Sequence, residues 1–235
     1  VQTCALPISA LGALGVLWLP GALVGHTVSV VPAVKRAEIG TAILDHMRRV
    51  TGAPCTTPAA NLALRRLSAR LPAPDGQADR LVVMREGVEN TVQLPGHIML
   101  LGRALVEDHE DPDVVAGYII AEQLRAAARD PLAELLDHAG ISATFRLLTT
   151  GSLTPDALRA YAEARLTRVP EPVDTDALLR AFEAQQVRSS PYAYARDITG
   201  EATLPLIEAD PYADATTRPV LRDGDWIRLQ GICGG

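Results

Sequence analysis

The sequence predicts an α+β fold, mainly helical, with a short sheet and a small C-terminal β region. Three observations predict it. Apolar residues recur at helical spacing in segment after segment between 37 and 187. Two β-rich runs, RLVVMRE and TVQLPGHIMLLGRAL, interrupt those segments between 80 and 105. From Ser189 onward, short runs of β-formers alternate with turn residues. The 235 residues give one large domain or two small ones. A chain of this size buries roughly 70–75% of its unfolded surface, so a core forms without staples.

The elements follow in order. In 37–50, Ile39, Ile43 and Met47 repeat every four residues, and Pro54 ends the segment. The next helix, 58–71, opens on Pro58, which suits a first turn, and carries Leu62, Leu64, Leu67 and Leu71. PAPDG at 72–76 is a turn, 80–86 a short strand and GVEN at 87–90 a second turn. An extended segment then breaks at Pro95-Gly96 and runs into a short helix. The segment 111–130 is a helix capped by Asp111 or Asp113, and apolar residues all round its middle require burial. Pro131 forces a break, and helices are expected at 131–138, 141–149, 155–166 and 176–187. In the tail, strands are expected at 192–197, 203–208 and 220–231, with ITGEAT and RDGDW as hairpin turns.

With 48% apolar and 21% charged residues the chain is not disordered. Its net charge of -6 and lack of a basic run exclude nucleic acid as an expected partner. The first eight residues, VQTCALPI, resemble translated sequencing adapter and are set apart as an artefact, Cys4 with them. Residues 9–34 carry no charge, since the first charged residue is Lys35. Their length suits a membrane anchor, although Pro20, Gly21, Gly25 and Pro32 interrupt them; the alternative is an apolar arm buried on a globular domain. Cys55 and Cys233 lie near opposite ends of the domain. They either form one disulfide, which places the domain in an oxidising, extracytoplasmic space, or are unrelated core residues.

The segment from Arg80 to Arg125 carries a further pattern. A strand leads to Asn90, then to Leu94-Pro95-Gly96-His97 and IMLLGRAL; the acidic break EDHEDPDVVAG precedes the buried helix. This order resembles the HtpX-type zinc metallopeptidases, the gluzincins that include the CAAX prenyl endopeptidases. The resemblance covers roughly 37–190, and the tail resembles the C-terminal end of some bacterial members. It implies a zincin-like domain over 37–188 with a β region, 189–235, packed on it. It also implies that Asn90, Leu94, Pro95, Gly96 and His97 belong to an edge strand that binds peptide backbone.

The chain departs from that family where the chemistry sits. In the register of the family's His-Glu-x-x-His it reads Ala121-Glu122-Gln123-Leu124-Arg125. Two imidazoles at i and i+4 on one helix face hold zinc, and the Glu activates the metal-bound water. Ala121 has no donor atom, and Arg125 is a permanent cation. Only Glu122, the vestigial general base, survives. Glu163 is the nearest candidate for the family's third ligand. Glu122 is expected either to pair with Arg125 as an ordinary i,i+3 bridge or to face Arg125 held as a cation in place of the metal. Tyr192 and Tyr194 are expected to pack, and Glu208 and Asp210 to lie in a solvated turn.

These readings lead to one expectation and two alternatives. The expectation is a peptidase-like protein without zinc or proteolytic activity, binding polypeptide segments or a membrane protein at the cell envelope. The first alternative is an active zinc endopeptidase with unorthodox ligands drawn from residues such as His97 and His109. The second is a structural envelope protein whose cleft is filled.

Overall fold

The computed structural model describes residues 19–213, 215 and 217–234. Helix α1 is described over 19–30, and α2 (Ala33–Thr51) and α3 (Pro58–Arg70) follow. Strands β1 (Arg80–Met84), β2 (Thr91–Leu94) and β3 (Ile98–Gly102) come next, then α4 (Arg103–Glu107) and α5 (Pro112–Ala128). Helices α6 (Pro131–Ala139), α7 (Ile141–Thr150), α8 (Pro155–Thr167) and α9 (Thr175–Gln185) complete the part read correctly from sequence. Their starts use the expected chemistry: Thr57, Asp111, Thr154 and Asp174 each cap a backbone N–H with the side chain.

The sheet has the order β1-β3-β2. β1 runs parallel to β3, with Arg80 opposite Ile98 and Met84 opposite Gly102. β2 runs antiparallel to β3, with Thr91 opposite Leu101 and Leu94 opposite Ile98. Successive side chains of a strand point to opposite faces. Met99 and Leu101 therefore enter one apolar cluster with α3, α5, α9 and the tail. Ile98 and Leu100 enter a second, with α1, α2, α6, α7 and α8. Helices cover both faces, which is why IMLL is apolar without alternation.

Two glycines allow this packing. Gly96 holds the β2–β3 turn at φ +79 against the backbone of Ala37 in α2. At Gly117 of α5 a Cβ would lie 2.4 Å from the Cβ of Tyr192.

The tail differs from expectation. It forms three helices, α10 (Ser190–Arg196), α11 (Leu204–Glu208) and α12 (Asp223–Gln230), rather than a β region. Pro191 and Pro205 sit in first helical turns, where their missing N–H costs nothing. Asp223 and Asp225 lie at the positive start of α12, so RDGDW opens a helix instead of turning a hairpin. The alternation of PYAYARD places Tyr192 and Ala193 in the core beside α5 and leaves Tyr194 exposed. Asp210 accepts from the Ser190 N–H at 2.9 Å and its hydroxyl at 2.6 Å, so it fixes the start of α10 rather than pairing with Glu208.

Segment 1–8 and the first part of the apolar segment, 9–18, lie outside the described residues. The remainder is a helix docked on the domain: Val24 and Thr27 are buried, with Val28 and Val31 packed beside them. Arg36 clamps its end, donating to Val28 O, to Val31 O at 3.3 Å and to Asp130 at 2.6 Å. Among the described residues no helix is long and apolar enough to cross a membrane. Cys55 and Cys233 are disulfide-bonded across 178 positions, with Cα atoms 4.9 Å apart, joining the α2–α3 loop to the chain after α12.

Candidate functional site

The pattern-bearing residues meet where β2 runs beside α5. Asn90, Val92 and Leu94 bond inward to β3, as the Gly102 N–H donating to Asn90 O at 2.8 Å shows. Alternation then points the main-chain groups of Thr91 and Gln93 away from the sheet. Glu122 rises from the middle of α5 toward them and is 1% exposed.

Both oxygens of Glu122 are engaged. Oε1 accepts from the Gln93 N–H at 2.8 Å and from Arg165 Nη2 at 3.2 Å. Oε2 accepts from Arg125 Nη1 at 2.7 Å and, more distantly, from Thr91 Oγ1 at 3.5 Å. Arg125 also donates from Nε to Glu171 O at 2.7 Å. Arg165 Nε lies 3.7 Å from Glu134, and Arg168 reaches Glu134 at 3.5 Å and Glu171 at 2.6 Å. The result is a charge-balanced network of arginines and glutamates. A pocket of about 240 Å³ lies against it, lined by Gln93, Glu122, Arg125, Arg129, Arg165 and Arg168.

Arg125 is seen in an ordinary ion pair with Glu122. It makes the i,i+3 bridge, and its side chain stands half-buried between Glu122 and the Glu171 carbonyl. Ala121 is fully buried in the first apolar cluster. Glu163 is exposed and lines a small pocket with His46 and Arg159, away from Glu122. The α8 side chain that reaches the site is Arg165.

Zinc does not fit these residues. Residues 121 and 125, where the resemblance would put ligands, hold a methyl group and a guanidinium, and both oxygens of Glu122 already accept hydrogen bonds. A dication placed there would face Arg125 and Arg165 without a compensating ligand set. Elsewhere among the described residues, no three of His, Cys, Asp and Glu converge in a metal-holding group. The His109 carbonyl accepts from Gln230 at 2.9 Å.

The expected peptide-binding edge is placed differently from the pattern's implication. Leu94 and Pro95 are buried, and Gly96 turns against α2. His97 adopts φ 58 and, like Asn90 and Gly96, is partly exposed. Its Nδ1 lies 3.2 Å from Asp79 and its Nε2 3.2 Å from Asp75. Asp79 is buried beneath it and accepts from Gln93 Nε2 at 2.8 Å and Gln123 Nε2 at 2.9 Å. Burial pushes the Asp79 carboxyl up, but the hydrogen bonds from His97, Gln123 and Gln93 outweigh it and leave it below the usual carboxylate range. The hydrogen bond to Asp79 raises His97 above its ordinary value, against burial. A second pocket, about 190 Å³, borders this pair.

Sequence reasoning missed Asp79, Arg165, Glu134 and Arg168. Arg165 did leave a trace: Leu158, Tyr161, Ala162 and Arg165 fall at i, i+3, i+4 and i+7, so an arginine stands in the buried stripe of α8. Neither a protein-family model nor a curated protein sequence matches the chain.

Proposed function

We propose that this protein is a non-catalytic, peptidase-like protein related to the HtpX-type metallopeptidases, which binds polypeptide segments at the cell envelope. The single observation that carries the reading is the buried Glu122. In an active site of that type the glutamate must face a metal-bound water. Here it bridges a strand N–H and two guanidiniums, so it acts as a structural anion. The order strand, turn, strand and buried helix that suggested the family is retained, with the helix against the sheet. The Cys55–Cys233 bond supports an extracytoplasmic location.

Two measurements on the full chain test the loss of catalysis together: metal content after exhaustive dialysis, and cleavage of unfolded casein with and without added zinc. The expected outcome is zinc far below one per chain and no zinc-dependent cleavage. Stoichiometric zinc with cleavage abolished by Glu122→Gln would overturn the reading. A specific observation favours a second reading, a structural protein with a filled cleft: Glu122 already occupies the Gln93 N–H that an added strand would use.

A further inference from the structure

Arg66 and Arg70 stand four residues apart in α3 and so share a face of that helix. The chain leading into α12 lies against the same face. Arg70 Nη2 donates to Arg218 O at 3.2 Å, and Arg66 Nη1 donates to Asp225 at 2.6 Å. Together they border a cleft of about 370 Å³, whose charged lining is four arginines, Arg66, Arg70, Arg218 and Arg222, and one carboxylate, Asp225. The chain has no basic run because the fold assembles this cluster, two arginines from α3 and two from the tail.

The one carboxylate is already committed. The Asp225 side chain is 4% exposed and accepts from two arginines, Arg66 at 2.6 Å and Arg228 at 3.2 Å. Both bonds from Arg66 leave through Nη1, so its Nε–Nη2 edge carries no hydrogen bond among the described residues. Arg70 directs its donors at neutral carbonyls, Gln185 O at 2.7 Å, Gln186 O at 3.1 Å and Arg218 O. It thereby ties the tail to α3 and to the end of α9, and no carboxylate answers its charge within the cleft. Burial and the nearby Arg218 charge hold the Arg70 guanidinium below its ordinary value, against the pull of Asp113. Arg218 and Arg222 are exposed and make no ion pair among the described residues. Like charges gathered this closely repel one another, and a cleft lined by one sign concentrates ions of the other. On a chain of net charge -6 this positive cleft is a local feature with a sign of its own.

We propose that this cleft binds a phosphate-bearing anion, a phosphomonoester or diphosphate, either free or as the headgroup of a lipid. Arg70 is the positioning residue that holds the tail in place. The open edge of Arg66, with Arg218 and Arg222, supplies the donors. A guanidinium fork matches two oxygens of a phosphate. A carboxylate has two oxygens and fills a single fork, whereas a phosphate dianion offers three and opposes more than one cation. The inference stands apart from the polypeptide-binding reading and does not need it.

The test uses the full chain, labelled with ¹⁵N, at constant ionic strength. Inorganic pyrophosphate is titrated in, with acetate as the carboxylate control. The arginine side-chain Nε–H resonances report the site, and calorimetry reports the affinity. Pyrophosphate is expected to saturate and to shift Arg66, Arg218 and Arg222, and acetate to leave them in place. The double variant Arg218→Gln with Arg222→Gln removes two charged donors and should weaken binding about tenfold or more. Both side chains are exposed, so an unchanged melting temperature serves as the folding control. Co-sedimentation with phosphatidylcholine vesicles, with and without phosphatidic acid, then separates the two sources. Retention on the phosphatidic acid vesicles alone, lost in the double variant, assigns a lipid headgroup; binding of pyrophosphate without such retention assigns a soluble phosphate compound. Equal response to acetate and pyrophosphate would overturn the phosphate assignment. Binding of full strength in the double variant would overturn the site, and failure of both pyrophosphate and phosphatidic acid vesicles to bind would overturn the proposal whole.

Discussion

Replacing Glu122 by Gln separates a structural anion from a catalytic base. The change keeps the volume and an acceptor for the Gln93 N–H but removes the charge. The Glu122 side chain is 2% exposed and that of Arg165 11%, so this pair belongs to the buried regime. There, removal of one partner costs about 3–5 kcal/mol, because a buried charge is left uncompensated. Arg165 keeps Glu134 and Arg125 keeps the Glu171 carbonyl. The loss should therefore sit near the lower figure, about 3 kcal/mol. For a domain of this size that lowers the melting temperature by roughly 6–12 °C. Thermal unfolding followed by circular dichroism reads it directly. A cycle with Arg125→Met should show coupling of about 1 kcal/mol or more between the two sites. A variant as stable as the parent, or more stable, would refute the reasoning. That is the result expected of an active-site carboxylate held without partners, whose neutralisation relieves a cost.

Three other perturbations have defined outcomes. His97, raised by Asp79, should titrate above its ordinary 6.5 in an NMR pH series and return toward it in Asp79→Asn. The stability it contributes is complete below 6.5 and is lost as pH rises through its folded value. The contribution of Asp79, lowered in the fold, is present above 3.8 and is lost as pH falls through its folded value. A His97 titration that ignores Asp79→Asn would contradict the pairing. Cys233→Ser opens a bridge spanning 178 positions, for which chain entropy gives about 5 kcal/mol, and denaturant unfolding should show a loss of about 2–5 kcal/mol. An unchanged midpoint would mean that the unfolded state is already constrained there. Gly117→Ala drives a methyl into Tyr192 and should cost about 1–3 kcal/mol by the same assay, partly restored by Tyr192→Leu.

Most of the helical body was legible because its signals are local. Pro58, Pro112, Pro131 and Pro155 open helices, and caps such as Asp174 lie next to them. The break between β2 and β3 followed from Pro95-Gly96, whereas their antiparallel pairing is seen only in the fold. The tail was misread for a physical reason: PYAYARD alternates like a strand, yet Tyr192 is buried because α5 offers Gly117 opposite it. That contact joins residues 75 positions apart and leaves no local trace. The site was legible as a position and not as a network. The sequence isolates Glu122 as a charge in an apolar helix, which must find partners. It does not say that Arg165 comes from α8 and Gln93 from β2, since only the packing of α5 and α8 around β2 brings them together.

The Cys55–Cys233 bond closes residues 55–233 into a covalent ring. The linker between α8 and α9 lies on that ring, and Val169 within it is 82% exposed. A protease that cuts the linker opens the ring without dividing the molecule. The two pieces stay tied through sulfur and through the shared core of α3 and α12. Such a nicked form would run as two bands on a reducing gel and as one on a non-reducing gel. Outside the cell, where extracellular proteases act and thiols are scarce, a protein built this way can be cut and still persist as one body.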